Sequence, residues 1–305
     1  MKSRRLFLRN SGLAAAAILA QKPINVLAKG QSFFSLGNNQ ENKLTILHTS
    51  DIQNCLGELA DSSVYAGLGG FNQAAELIYR IKRTTDNTLL LDAGNFTAAS
   101  NQKDQLKTVQ KMQQLQYDAV HFGINELKKG TAFTESVVTQ LPVVASNYEV
   151  EGVKTASFKI IQKGKYKIGI ISAGPRLRSF VKYKAALQTA DALASDLKSN
   201  HQCNLVICLS HLGLNTPKGK NDEALANCTS HIDVILGGAS NEFLVSPYVL
   251  ATKQKTEVIV NHIGHSGVVV GKIDVEFDED GNKRMVHFDN LMVGTTNNRW
   301  KRAVA

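Results

Sequence analysis

Short apolar runs recur along the chain, and each gives way to a polar or glycine-rich turn. They are residues 44–48 before TSDIQN, 88–92 before AGNF, 119–122 before GINE and 143–145 before SNY. Further runs are 167–171 before SAG, 205–209 before SHLG, 234–236 before GGASN and 258–260 before NHIGH. Runs this short and rich in β-branched residues predict buried strands. Helical patterns lie between several of them, at 71–83, 105–115, 187–199 and 222–228. Such alternation predicts a layered, largely parallel α/β sheet. Near the end, 268–277 and 284–291 flank the turn DEDG at 278–281, which predicts an antiparallel hairpin and so a mixed sheet. No internal repeat or low-complexity segment interrupts the pattern. In such folds ligands bind beyond the carboxyl ends of the strands, where the turns above lie.

The 305 residues, 43% hydrophobic and 20% charged, describe an ordinary globular protein with room for one large α/β domain or two small ones. The formal net charge is +9, but residues 1–28 hold Lys2, Arg4, Arg5, Arg9 and Lys22 and no acid, and without them it falls to +4. No dense basic run with interleaved aromatics follows, so nucleic acid is not an expected partner; anionic small molecules suit the remaining charge. Cys55, Cys203, Cys208 and Cys228 lack the paired spacing of a zinc site. Cys208, in an apolar run, reads as a buried filler, and a Cys203–Cys228 bridge is the pairing considered for an oxidising compartment.

The first residues, SRRLFLR, precede an apolar stretch at 13–20 that is too short to span a bilayer. Val26 and Ala28 give a small-residue cleavage pattern. The Arg4–Arg5 pair followed by Leu-Phe-Leu is similar to a twin-arginine export signal. The expected organisation is therefore a signal peptide at 1–28, a polar linker at 29–42, a catalytic-type domain at 43–296 and a tail at 297–305. Export places the protein in the periplasm or another extracytoplasmic space of a bacterium. Membrane contact is expected only if the signal segment stays as an anchor.

In order along the chain, the loops offer Asp51-Ile52-Gln53, Gly94-Asn95, Gly123-Ile124-Asn125-Glu126, Ser210-His211-Leu212-Gly213 and Gly238-Ala239-Ser240-Asn241. From about Lys43 to Leu291 the chain resembles the metallophosphoesterase (calcineurin-like) domain of the 5'-nucleotidase family. That family's pattern is D-x-H, G-D, G-N-H-E, S-H-x-G and G-H-x-H. The resemblance implies a layered metallophosphoesterase-type sandwich, α/β in class, with mixed β-sheets flanked by helices in a single domain. It also implies a phosphoric ester hydrolase with two divalent ions about 3.5–4 Å apart, clamping the attacking water and the phosphoryl oxygens.

Residue by residue, the implied ligand set is depleted. Asp51 keeps the first carboxylate and His211 keeps one imidazole. Gln53 stands for a His ligand, and Asn95 for the bridging Asp whose charge would hold two dications together. Ile124 replaces an Asn ligand, Asn125 replaces the catalytic His, and Ala239 and Asn241 replace both His of the last motif. The expectation is one weakly bound divalent metal at most and no intact dinuclear centre. The chain then reads as a pseudoenzyme or accessory subunit, the alternative being an active phosphohydrolase with a reduced metal site. The family's nucleoside-gripping C-terminal domain has no counterpart before Ala305, so a separate nucleotidase C-terminal domain polypeptide is an expected partner.

Plainer roles are also open. Asp51 alone reads as a cap or Asx-turn, His211 as a buried His, Glu126 and Asp92 as structural, and Asn147 as a turn residue or a group near the site. His48 and His121 read as core-facing, and His262 and His265 as a substitute metal pair. No Ser/His/Asp or Cys/His arrangement is expected, and no phosphate-binding glycine loop.

Overall fold

The computed structural model describes residues 42–294, apart from 61, 62, 64, 99–101, 178–180, 215–220, 241, 242 and 245. All of them belong to the compact unit Asn39–Ala305. The signal segment with Arg4 and Arg5, most of the linker, the tail and Asn241 lie outside the described residues.

The chain runs through β1 (Lys43–Thr49), α1 (Phe71–Thr84), β2 (Thr88–Asp92), α2 (Gln102–Leu115), β3 (Ala119–Val120), α3 (Ile124–Leu127) and α4 (Thr131–Val138). It continues with β4 (Tyr148–Val150), β5 (Lys159–Lys163), β6 (Tyr166–Ala173), β7 (Val181–Tyr183), α5 (Ala186–Ser199), β8 (Leu205–Ser210) and α6 (Asp222–Cys228). The last elements are β9 (Val234–Gly237), β10 (Tyr248–Ala251), β11 (Glu257–His262), β12 (Val269–Phe277) and β13 (Lys283–Met292).

Two sheets form. One has the order β13-β12-β1-β2-β3 and the other β10-β11-β9-β8-β6-β5; β4 and β7 make a small separate pair. Both sheets are mixed, with parallel centres (β1-β2-β3 and β11-β9-β8-β6) and antiparallel margins.

The period-2 alternation of the strands sorts their side chains into layers. Leu44, Ile46, Leu89 and Leu91 of the first sheet meet Ile168, Ile170, Leu205, Ile207, Leu209 and Leu236 of the second. The alternate residues Leu47 and Leu90 face outward, where Phe71, Ala74 and Ile78 of α1 and Val109 and Met112 of α2 cover them. Val206, Cys208 and Ile235 likewise face Ala190, Ala194 and Leu197 of α5 and Leu225 of α6. The result is helix, sheet, sheet, helix, the layered sandwich that the strand–helix pattern predicts. Truncating an inter-sheet leucine such as Leu91, fully buried, costs about 2–5 kcal/mol.

Two local expectations change, and one strand lies outside them. Residues 143–145 form isolated bridges, Val120 with Val143 and Val144 with Ala156, rather than a strand of their own. Strand β10 escapes the pattern because it is a sheet edge whose side chains are mostly exposed, so no apolar run marks it. All four cysteines are free thiols, so the Cys203–Cys228 bridge is not formed.

Candidate active site

The loops after β1, β2, β3, β8 and β9 converge at one end of the sandwich, and their backbone is unusual. Asp51, Gln53, Asn54, Asn95 and Ala239 all have positive φ, between 48° and 70°. Asp and Asn tolerate this region, but alanine does so at a cost of about 1–2 kcal/mol. Backbone hydrogen bonds hold the turns: Asp51 N to Gly94 O at 2.9 Å, Gln53 N to Asn95 O at 3.0 Å, and Ser266 N to Asp51 O at 2.8 Å. The first two stitch the β1 loop to the β2 loop.

Asp51 is 1% exposed, and its carboxylate is already partnered by protein. Asn95 Nδ2 donates to Asp51 Oδ1 at 3.0 Å, and Ala239 N donates to Asp51 Oδ2 at 2.8 Å. The orientation of the Asn95 amide follows from its other end, where Oδ1 accepts the Asn125 N–H at 2.9 Å. A backbone N–H requires an acceptor, so the oxygen faces Asn125 and the NH₂ faces Asp51. A Cβ at Gly123 would lie 2.3 Å from Asn95 Oδ1, so only glycine lets the two loops close here.

Glu126 secures this junction. It is fully buried and accepts from Asn95 N at 3.0 Å, Thr97 N at 2.8 Å, Thr97 Oγ1 at 2.6 Å and Gly123 N at 2.8 Å. Asn125 Nδ2 donates to Thr97 O at 2.9 Å, and Lys129 Nζ to Ala98 O at 2.6 Å. Asn125 therefore ties loops together with its amide. Ile124, beside it, begins α3 half-buried. Burial pushes the Asp92 carboxyl well above the usual carboxylate range, against hydrogen bonds from Thr49 and Gly94.

His211 is 1% exposed. Its Nδ1 lies 3.0 Å from Ala93 O, which can only accept, so Nδ1 carries the proton. Nε2 is then a bare lone pair, and it is buried without a partner. A Cβ at Gly238 would come within 2.9 Å of Asp51 Oδ2 and 3.0 Å of His211 Nδ1, so both side chains close on that glycine. Gln53 is half-buried in the adjoining turn and Ala239 is exposed. Asn147 is bound by both ends of its amide to Gly174, N–H and carbonyl each at 2.9 Å, as a structural tie.

This donor set does not fit two divalent ions. The Asn95 amide turns its nitrogen, which has no lone pair for a metal, toward Asp51. With its oxygen held by the Asn125 N–H, Asn95 can neither bridge two ions nor share one with Asp51 in this orientation. One ion is another matter: His211 Nε2 and the remaining lone pairs of Asp51 are compatible with a single hard or borderline cation. Among the described residues no group of three or more His, Cys, Asp or Glu side chains stands together as a metal site, His262 and His265 included.

His262 instead joins a different constellation. Its Nε2 lies 2.7 Å from Asp222 Oδ2 and its Nδ1 lies 2.9 Å from Ser240 Oγ. A Ser/His/Asp arrangement thus exists where none was expected from sequence. The three residues come from the β9 loop, the end of β11 and the start of α6, and no local spacing marks them. The signal present was the histidine pair in NHIGH. His265, half-buried with its pKa lowered mainly by burial, lies near the rings of Tyr65 and Phe243, with centroids 6.3 and 6.1 Å away.

No protein-family model matches the chain. Among curated proteins it is similar to the 5'-nucleotidase of Bos taurus, 25% identical over 317 residues that cover 90% of this chain and 53% of that protein. Among solved structures it is similar to a 5'-nucleotidase precursor from Thermus thermophilus, with TM-score 0.72 and 25% identity, covering 83% of this chain and 55% of that one. A calcineurin-like phosphoesterase from Bacillus subtilis superposes with TM-score 0.68 and 21% identity, covering 86% of this chain and 95% of the other. The chain spans about half the length of the curated 5'-nucleotidases it matches. Its relatives and structural neighbours are thus 5'-nucleotidases and calcineurin-like phosphoesterases, and its mixed α/β sandwich matches their metallophosphoesterase domain.

Proposed function

We propose that this chain is an exported phosphoesterase-fold protein of the 5'-nucleotidase kind that has given up two-metal chemistry and serves as a pseudoenzyme or accessory subunit. One observation carries the reading: Asn95 donates a hydrogen bond to Asp51 where the related enzymes are expected to place a bridging carboxylate and two ions. A neutral amide cannot offset two dications, but it can neutralise the hydrogen-bonding need of a single buried carboxylate. Asn125, at the position of the expected acid, has no proton to give near neutral pH and spends its amide on Thr97 O. The Arg4–Arg5 segment supports export through the twin-arginine route to the periplasm. In this reading its partner is a polypeptide carrying a nucleotidase C-terminal domain.

A second reading keeps phosphohydrolase activity on nucleotides or other phosphomonoesters with one ion at Asp51 and His211, and the unpartnered His211 Nε2 favours it. Assaying nucleotide and generic phosphomonoester hydrolysis with added manganese or zinc separates the two. The accessory reading predicts no turnover above buffer. Turnover abolished by Asp51→Ala and by His211→Ala would establish the second.

A further inference from the structure

A line of hydrogen bonds beside the Asp51 loop ends at the hydroxyl of Ser240, a half-buried residue. Ser210 Oγ donates to Asp222 Oδ1 and itself accepts the Leu212 N–H at 3.2 Å, so its proton points at the carboxylate. Asp222 Oδ2 lies 2.7 Å from His262 Nε2 and accepts the proton carried there. That choice of tautomer leaves His262 Nδ1 as an acceptor. Ser240 Oγ, 2.9 Å away, donates its hydroxyl proton to Nδ1. Asp222 and His262 are 0% and 1% exposed, whereas Ser240 is only half-buried. The imidazole is seated by Gly237, which faces it across the β9–β11 ladder; a Cβ there would lie 1.9 Å from Nε2.

We propose that Ser240, His262 and Asp222 form a proton relay that makes Ser240 a nucleophile toward neutral carboxylic esters, without a metal ion. The roles are those of an activated serine: a hydroxyl, a base in hydrogen-bond reach, and a carboxylate orienting the base. Two surroundings select the substrate class. The Asp51 carboxylate receives the N–H of Ala239, the residue before Ser240, so an uncompensated anion shares this turn and disfavours phosphate dianions. Phe243 and Tyr65, with ring centroids 4.8 Å apart, stand near the end of β11, and Phe243 packs over Gly264, two residues from His262, which sets an aromatic surface beside the strand end that carries the histidine.

In the step, Ser240 Oγ bonds to the ester carbonyl carbon as its proton passes to His262 Nδ1. The bond to the leaving oxygen then breaks, and that oxygen takes the proton from His262. Water attacks the acyl-serine, gives its proton to His262, and the carboxylic acid departs as the proton returns to Oγ. The relay uses neither Asp51 nor His211 as a ligand; its preference for neutral esters rests on the accessory reading, in which Asp51 carries no ion.

The test treats the purified full chain, with and without a chelator, with an alkyl fluorophosphonate and with 4-nitrophenyl butyrate. The expected result is one covalent adduct per chain on Ser240, formed equally with chelator present and absent after Ser240→Ala. Ester hydrolysis should accompany it. His262→Gln and Asp222→Asn should each slow labelling on the order of 100-fold. Unfolding the unmodified chain in urea should abolish labelling, a control that needs no variant to fold. No adduct on Ser240, labelling that persists in urea, or His262→Gln labelled as fast as the unmodified chain overturns the proposal.

Discussion

Asn95 Nδ2 sits 3.0 Å from Asp51 Oδ1, and this one hydrogen bond joins the loops after β1 and β2 at the point where the phosphoesterase resemblance implies a pair of ions. With Ala239 N on the other oxygen, the buried carboxylate is satisfied by protein donors alone. The loop cluster is therefore arranged to be stable without metal.

Asn95→Asp tests that arrangement. The change removes the amide donor and sets a second carboxylate against Asp51, so the chain should lose roughly 1–3 kcal/mol near neutral pH. Protonating one carboxyl relieves the repulsion, so the loss should shrink as pH falls toward 4. Added manganese should restore part of it in the variant, by more than it stabilises the parent. Urea unfolding at two pH values, with and without the ion, reads all three.

Glu126 is predicted to be the strongest single point of the cluster. Glu126→Ala strands the N–H groups of Asn95, Thr97 and Gly123 in a buried site. Each stranded donor costs about 1–3 kcal/mol, so the variant should lose at least about 3 kcal/mol or fail to accumulate folded. Glu126→Gln, which keeps one acceptor oxygen, should lose less. A urea midpoint for Glu126→Ala unchanged from the parent would contradict this.

His121 should leave a pH signature. Burial pushes its pKa down to about 3, against the pull of the Val144 carbonyl and aided by repulsion from His211. The unfolded chain holds this proton at about 6.5, so His121 contributes its full share above that value. The share declines as pH falls from about 6.5 toward 3, by up to about 1.4 kcal/mol per pH unit. Asp92, its carboxyl pushed up by burial, works in the opposite sense above pH 3.8. The comparison of parent with His121→Gln isolates the histidine: their stability gap should narrow from pH 7 to pH 5. A gap that stays constant would show that His121 takes up its proton as readily in the fold as in the unfolded chain.

Much of the sandwich was legible because its strands are buried on both faces. Residues 88–92 form β2 with the bounds that the apolar run gives, and 222–228 form α6 likewise. Strand β10 was not, because an exposed edge needs no apolar run. The site was legible as a set of loops but not as a set of bonds. Asp51 is 44 residues from Asn95 and 188 from Ala239, and one of its two donors is a backbone N–H that every residue but proline carries. Ser240, His262 and Asp222 were hidden for the same reason: their links span 22 and 40 residues, and the β9–β11 pairing brings the first two together while the packing of α6 on β11 brings the third. The positive φ of Ala239 has no counterpart in its side chain, which favours helix.

Metal stoichiometry distinguishes an Asp51 held by Asn95 from an Asp51 in a dinuclear centre. The purified protein, equilibrated with excess manganese or zinc and freed of unbound ion by gel filtration, should carry no more than one ion per chain by elemental mass spectrometry. His211→Ala should remove whatever is bound. Two ions per chain, retained through filtration and lost together on Asp51→Ala, would contradict the hydrogen-bonded arrangement of Asp51, because Asn95 and Ala239 would then have to release Asp51 to a dinuclear centre.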